Sequence, residues 1–272
     1  MLFRSSAVQA PPPKKKKAKE GEEEDDDPYP STGAPGTNEA ASKTLLSPIG
    51  MLAQLSAPYN KQSASRRLRN AIIDVYAELF TSLGAGWIEH YYSEIAKHLI
   101  DEIGCGAAAG LGWTGWNARA AERTEPAKAR FDALSARKAV AILLRDIISG
   151  RLLSEPGQIM AARELGSLFL KKWPSLLPSQ PPPSKQALLI ALDETSALLR
   201  RLGCAPPAVQ DVLYDPLARL VAHPSHSVQI SAAWALRTFC NAAPTRLSST
   251  IVQIVDLDRK STRLNSSHPL DL

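Results

Sequence analysis

Residues 213–239 read LYDPLARLVAHPSHSVQISAAWALRTF, and this stretch decides the fold. Val209, Leu213, Leu217 and Leu220 recur at a spacing near 3.6, which predicts one apolar helix face. Pro216 falls inside that pattern, where a proline kinks or loosens a helix. His223-Pro224-Ser225 stops the helix, and Ser225 or Ser227 can cap the next one. Val228, Ala232, Ala235 and Phe239 then form a narrow stripe of small and medium residues that lets two helices pack closely. A pair of this kind cannot bury both apolar faces alone. It therefore implies stacked neighbours, an all-α architecture built as a solenoid of antiparallel helix pairs.

Helical periodicity continues upstream. Leu68, Ile72, Val75, Leu79 and Leu83 share a face, and Gly84-Ala85-Gly86 ends that helix. Trp87 to Ile103 forms the next, with Ile88, Tyr92, Ile95 and Leu99 inward. A helix after Pro126 carries Phe131, Leu134, Ala141, Leu144 and Ile148 and ends at Gly150. Another starts near Pro156, a favoured first-turn residue, with Ile159, Ala162, Leu165, Phe169 and Trp173 inward. A proline-rich connection, 174–183, leads to a helix from Ser184 with Leu188, Leu192, Thr195, Leu199 and Leu202, closed by Gly203. Thr245–Leu257, with Leu247, Ile251, Ile254 and Val255, starts a further helix. About eight helices in four pairs are expected, and no Val/Ile/Thr alternation marks a strand.

Three segments fall outside this pattern. Residues 1–60 are expected to form a disordered, low-complexity tail: Lys14–Lys17 and Lys19 precede an acidic run from Glu20 to Asp27, amid Pro, Gly, Ser and Thr. The basic run reads either as a nuclear-localisation-like patch or as part of a solvated polyampholyte. Residues 104–125 have no period and read as an irregular loop within a helical region spanning 61–257. Residues 258–268, DRKSTRLNSSH, match eleven in-register codons of a common sequencing-library adapter. Residues 258–272 therefore read as an artefactual tail, and the Asn265-Ser266-Ser267 glycosylation match carries no weight. On this view the chain is a fragment of a longer protein.

The net charge of +5 falls to +4 without that tail, which holds three basic and two acidic residues. This is too mild to point to nucleic acid. Cys105, Cys204 and Cys240 lack CxxC spacing, which indicates reduced thiols without a disulfide framework. Cys204 and Cys240 are expected as small buried residues. No apolar run reaches about 18 residues, so no membrane span is expected, and MLFRSSAVQAPPP lacks the apolar core of a signal peptide.

No residue is assigned a catalytic, cofactor-binding or metal-binding role. Gly110 to Gly115 matches GxGxxG, but a dinucleotide site needs a strand before it and a helix opening on it. His223 and His226 flank a turn without two further ligands in local spacing. Asp193-Glu194 reads as an exposed helical acidic pair. Trp87, Trp173 and Trp234 fit core faces, whereas Trp113 and Trp116 lie in the irregular loop.

The 213–239 unit is similar to a HEAT repeat. More broadly, RKAVAILLRDIISGRLLSEPGQIMAARELGSLFLKKWPSLLPSQ and LGCAPPAVQDVLYDPLARLVAHPSHSVQISAAWALRTFCNAAPTRL, within Arg137–Leu257, resemble the large HEAT-repeat proteins that accessorise clathrin adaptors (the family-5 HEAT-repeat proteins and their fungal counterparts). NAIIDVYAELFTSLGAGWIEHYYSEIAKHLIDEI carries the resemblance more weakly. Gln229 stands where HEAT helices often have Arg. The resemblance implies a non-enzymatic scaffold that supports endosome-to-Golgi retrieval and endocytosis and binds clathrin-adaptor components. It would be cytoplasmic and attached peripherally to Golgi and endosomal membranes through partners, with no cofactor and no nucleic-acid partner. An importin-like carrier or another cytosolic HEAT scaffold is the alternative, and the helical domain of an enzyme a more distant one.

Overall fold

The structure, a computed structural model, describes residues 47–61, 63–106, 127–175, 179 and 181–266. Among these the chain is all-helical with no strand. Nine helices follow one another: α1 Pro48–Tyr59, α2 Arg66–His90, α3 Tyr92–His98, α4 Ala127–Ala141, α5 Glu155–Leu168, α6 Lys185–Leu202, α7 Pro207–Leu220, α8 His226–Ala242 and α9 Leu247–Ser266. The stretch 107–126, which holds most of the irregular loop, the GxGxxG match, Trp113 and Trp116, lies outside the described residues, as do 1–46.

Serine starts four of the helices. Ser47, Ser65, Ser154 and Ser184 each stand in extended backbone and accept the N–H three residues on, from Gly50, Leu68, Gly157 and Ala187, at 3.1–3.2 Å. Each bond satisfies one of the donors that a first turn leaves open. Pro156 occupies the first turn of α5, and Gly203 closes α6 at φ 69°, a left-handed conformation that glycine adopts without a side-chain clash. Gly84, at φ 77° and ψ 168°, interrupts α2 where the sequence predicts a stop.

Two helices change their winding. α3 runs into a π-helical turn, Leu99–Gly104, and α4 into a longer one, Ile142–Leu152. Their buried residues explain why. In α3 these are Tyr92, Ala96, Ile100 and Gly104, with Ile95, Leu99 and Ile103; in α4, Ala136, Val140, Leu144 and Ile148, with Ala139, Leu143 and Ile147. Both sets repeat every four residues. At 3.6 residues per turn such a stripe drifts by about 40° with each repeat. A π turn, with roughly 4.4 residues, drifts the other way by a similar amount. Mixing the two keeps a four-residue stripe facing the core. By contrast α6, with Leu188, Leu192, Thr195 and Leu199 buried at spacings of four and three, stays α-helical.

The helices form two layers. α3 packs on α1 and α5, and α7 packs on α5 and α9; α4 packs on α2 and α6, and α8 on α6. Between layers, α1 meets α2, α5 meets α6 and α7 meets α8. Close approach of α5 and α7 requires Gly166, since a Cβ there would fall 2.7 Å from Val212 Cγ1 and 2.8 Å from Leu213 Cδ2. Val209, Leu213, Leu217, Leu220, Val228, Ala232, Ala235 and Phe239 are all fully buried, so the decisive stretch packs as its periodicity predicts. α7 runs helically through Pro216.

Several sequence expectations need correction. The proposed disordered tail ends too late, because Pro48–Tyr59 is a helix with Leu52 and Tyr59 buried. The Tyr76 hydroxyl donates to the Leu52 carbonyl at 2.7 Å and lies 2.8 Å from His98 Nε2, which must then carry its proton on that nitrogen. Burial raises the Tyr76 pKa and lowers that of His98. On α2 the buried residues are Ile72, Ile73, Tyr76, Phe80 and Ile88, while Leu68 and Val75 are exposed. Isoleucines and two aromatics set that face together. Phe131 and Leu134 on α4 are 57% and 60% exposed, and Trp234 on α8 is 60% exposed with the Arg237 guanidinium 5.2 Å from its ring. Trp87 and Trp173 are half-buried against Tyr91 and His223. Cys204 is exposed and Cys240 half-buried. By length and composition α2 is apolar enough to cross a bilayer, contrary to the sequence estimate, but its inner face is used against α1 and α4. α9 continues to Ser266, so position 258 marks no break in the backbone.

Replacing Trp234 by Ala is expected to cost under about 1 kcal/mol in urea unfolding, whereas Phe239→Ala costs about 3–5 kcal/mol, the range for large core truncations. Tyr76→Phe is expected to cost about 1–3 kcal/mol, because it strips the Leu52 carbonyl and His98 of their shared partner. Faster hydrogen exchange confined to α1 and α3 would locate that loss.

Candidate functional site

α6 is enclosed by α3, α4, α5 and α8, so its polar residues must find partners inside the stack. Asp193 and Glu194, read from sequence as an exposed pair, are inter-helix ion-pair partners; the Asp193 side chain keeps 39% exposure, whereas Glu194 is buried. Arg137 pairs with Asp193, and Arg145 Nη2 donates to Glu194 Oε1 at 2.7 Å. The sequence alone marks neither as internal, because the partners are 56 and 49 residues away. Glu194 is 4% exposed. Burial pushes its pKa up to about 7; Arg145 pulls it back, and Asp193 and Asp146 add to the rise. The Tyr92 hydroxyl is also raised, chiefly by burial.

Beside this pair lies a cavity of about 330 Å³ lined by Arg145, Ser149, Glu194, Arg200 and Arg201. Arg201 Nη1 donates to the Ser149 carbonyl at 2.8 Å, holding the end of the π segment of α4. Four arginines (Arg137, Arg145, Arg200, Arg201) lie here with three carboxylates (Asp146, Asp193, Glu194), and two of the arginines are held in ion pairs. The chemistry is that of a structural network joining α4 to α6.

The larger concavity is a cleft of about 900 Å³ between the first halves of α2 and α4, closed at one end by Tyr59, Asn60 and Gly106. Arg69 braces it. Its Nε donates to the Tyr59 carbonyl at 3.2 Å, its Nη1 lies 3.7 Å from Asp132 Oδ1, and its guanidinium sits 5.7 Å from the Tyr59 ring centroid. Burial raises the Tyr59 pKa, with Arg69 opposing. Gly106 lies close to the Asn60 side chain at the closed end, where a Cβ would fall 2.3 Å from Asn60 Oδ1. Arg66, Lys128 and Lys138 also line the cleft, and among the described residues none of them is paired with a carboxylate. Phe131 lies between them, exposed.

The signal for this cleft was present in sequence. Lys128, Phe131, Ser135 and Lys138 share one helical face at spacings of three and four, a cationic face with one aromatic. The aromatic alone suggests core; its neighbours on the stripe suggest surface.

Other features noted in the sequence do not converge. His223 is buried in the α7–α8 turn, where its Nδ1 accepts the Ser225 N–H at 3.0 Å and its ring lies against Trp173. His226 is exposed beside Gln229. Among the described residues no three His, Cys, Asp or Glu side chains are grouped to hold a metal. No protein-family model matches the chain, and no solved structure matches it.

Glu194 makes stability depend on pH with a defined sign. Its folded pKa lies above the unfolded value, so the native state binds more protons between about pH 4.5 and pH 7, and stability falls as pH rises through that window. The span corresponds to roughly 3 kcal/mol. In Glu194→Gln this component is absent. The stability of the variant relative to wild type, from urea midpoints, is therefore expected to rise between pH 5 and pH 8.

Proposed function

We propose that this chain is a HEAT-like α-solenoid that serves as a non-enzymatic scaffold in adaptor-dependent vesicle transport. The observation that carries the architectural half is the alternation of contacts. Each helix packs on its sequence neighbour but one within a layer, in two parallel series: α1, α3, α5, α7, α9 and α2, α4, α6, α8. Stacks of this kind extend by adding pairs and present long surfaces, which suits them to binding several partners at once. The trafficking half rests on the resemblance of Arg137–Leu257 to HEAT-repeat accessory proteins of clathrin adaptors. In this reading the protein is cytoplasmic, reaches Golgi and endosomal membranes through its partners, and contributes to retrieval from endosomes to the Golgi and to endocytosis.

Affinity purification of the tagged chain from its native cells tests the reading. Clathrin-adaptor subunits are expected to be enriched over a tag-only control, and depletion of the protein is expected to delay return of an endosome-to-Golgi cargo. Absence of adaptor subunits together with unchanged retrieval would reject the trafficking role. Small-angle scattering showing no elongation beyond a compact sphere of this mass would reject the solenoid.

A further inference from the structure

We propose that the cleft between α2 and α4 is a docking site for an acidic peptide carrying an apolar, preferably aromatic, anchor residue. This goes beyond the scaffold role and does not depend on which transport step the protein serves.

Charge is the first argument. Four cations, Arg66, Arg69, Lys128 and Lys138, line the cleft against two carboxylates, Asp74 and Asp132. Arg69 already faces Asp132, which leaves three cations against Asp74 alone. The two walls contribute equally, Arg66 and Arg69 from α2 and Lys128 and Lys138 from α4, so an anionic segment lying between them meets positive charge on both sides.

The apolar content is the second argument. Phe131 is more than half exposed on the α4 wall, and Ile73, Ala139 and Ile142 also line the cleft. Exposed aromatics beside cations are typical binding anchors, because ring burial supplies affinity while the charges steer and orient the ligand. At about 900 Å³ the cleft lies at the upper end of the small-ligand range, large enough for an aromatic side chain with its flanking backbone. The brace formed by Arg69 on Tyr59 and Asp132 ties α1, α2 and α4 together, so the walls are held in place before a ligand arrives.

Fluorescence anisotropy with the full chain tests this. The probe is a fluorescein-labelled peptide of about ten residues, Asp and Glu around one central Phe, at low salt. Saturable binding is expected. The double variant Lys128→Glu/Lys138→Glu is expected to weaken it about tenfold, and Phe131→Ala about fivefold, with the preference for Phe over Ala in the peptide lost. All three positions are exposed or half-buried, and unchanged thermal unfolding would show that the variants fold. Lys171→Glu, on an exposed lysine outside the cleft, is expected to leave binding unchanged. The proposal is overturned by absence of saturable binding up to millimolar protein, by equal weakening in Lys171→Glu, by equal affinity for a peptide with Lys in place of the acids, or by binding only to phosphatidylserine vesicles. Adaptor enrichment in the purification experiment does not require this cleft, so either result can fail without the other.

Discussion

The enclosure of α6 is the constraint on which the described structure depends. This helix buries Leu188, Leu189, Ile190, Ala191, Leu192, Leu198 and Leu199 against neighbours in both layers. It is also where the chain places an aspartate, a glutamate, a threonine and a serine in succession, Asp193 to Ser196. Three of the four, Glu194, Thr195 and Ser196, are buried and must be satisfied internally or cost stability. Ser196 donates to the Leu192 carbonyl at 2.7 Å, and Asp193 and Glu194 receive Arg137 and Arg145 from α4. Thr195 Oγ1 remains buried without a partner. The position of α4 against α6 is therefore fixed by two charge pairs as well as by aliphatic packing. A slip along the helix axis would leave the buried Glu194 carboxyl without Arg145.

The π-helical turns are a second consequence of sequence acting through packing. In α3 and α4 the buried positions recur every four residues, and a uniform α-helix would carry them progressively off the core. The chain absorbs the mismatch by widening the last turns, Leu99–Gly104 and Ile142–Leu152. The widened segment of α4 includes Arg145, so the change in winding and the placement of the Glu194 partner belong to one solution.

These cases show what the sequence makes legible. Where apolar residues alternate at three and four, as in α6, α7 and α8, the stripe read from the chain is the buried face. The glycines at 84 and 203 are also read correctly, because each acts through its own backbone. Errors arise where a residue type suggests burial and its company does not. Trp234 sits on the face of α8 opposite Val228, Ala232, Ala235 and Phe239, beside Arg237, and Phe131 sits among lysines. The aliphatic spacing points to Leu68 and Val75 on α2, whereas the rings of Tyr76 and Phe80, which bury more surface, lie on the inner face. Glu194 could not be assigned from its neighbours in sequence, since only a helix 49 residues away explains it. α1 was missed because proline and alanine dilute its pattern, and its anchor, the Tyr76 hydroxyl on the Leu52 carbonyl, is a tertiary contact.

The interior network and the cleft also separate structure from recognition on electrostatic grounds. Between α4 and α6, Asp193 and Glu194 each face an arginine across the helix interface. Such pairs fix register and respond to pH, but they offer little to a ligand. The cleft carries another arrangement: one pair, Arg69 with Asp132, closes its base, and among the described residues Arg66, Lys128 and Lys138 stand on its walls with Asp74 as the remaining lining carboxylate. Unpaired cations cost little while they remain hydrated, so folding does not demand their neutralisation. They gain most when a partner brings acidic groups and an apolar side chain together, excluding water from Phe131 as the charges meet. The position of α4 therefore serves two ends. Its widened C-terminal half locks the stack through Arg145, and that lock leaves its N-terminal half, with Lys128, Phe131 and Lys138, free to face outward.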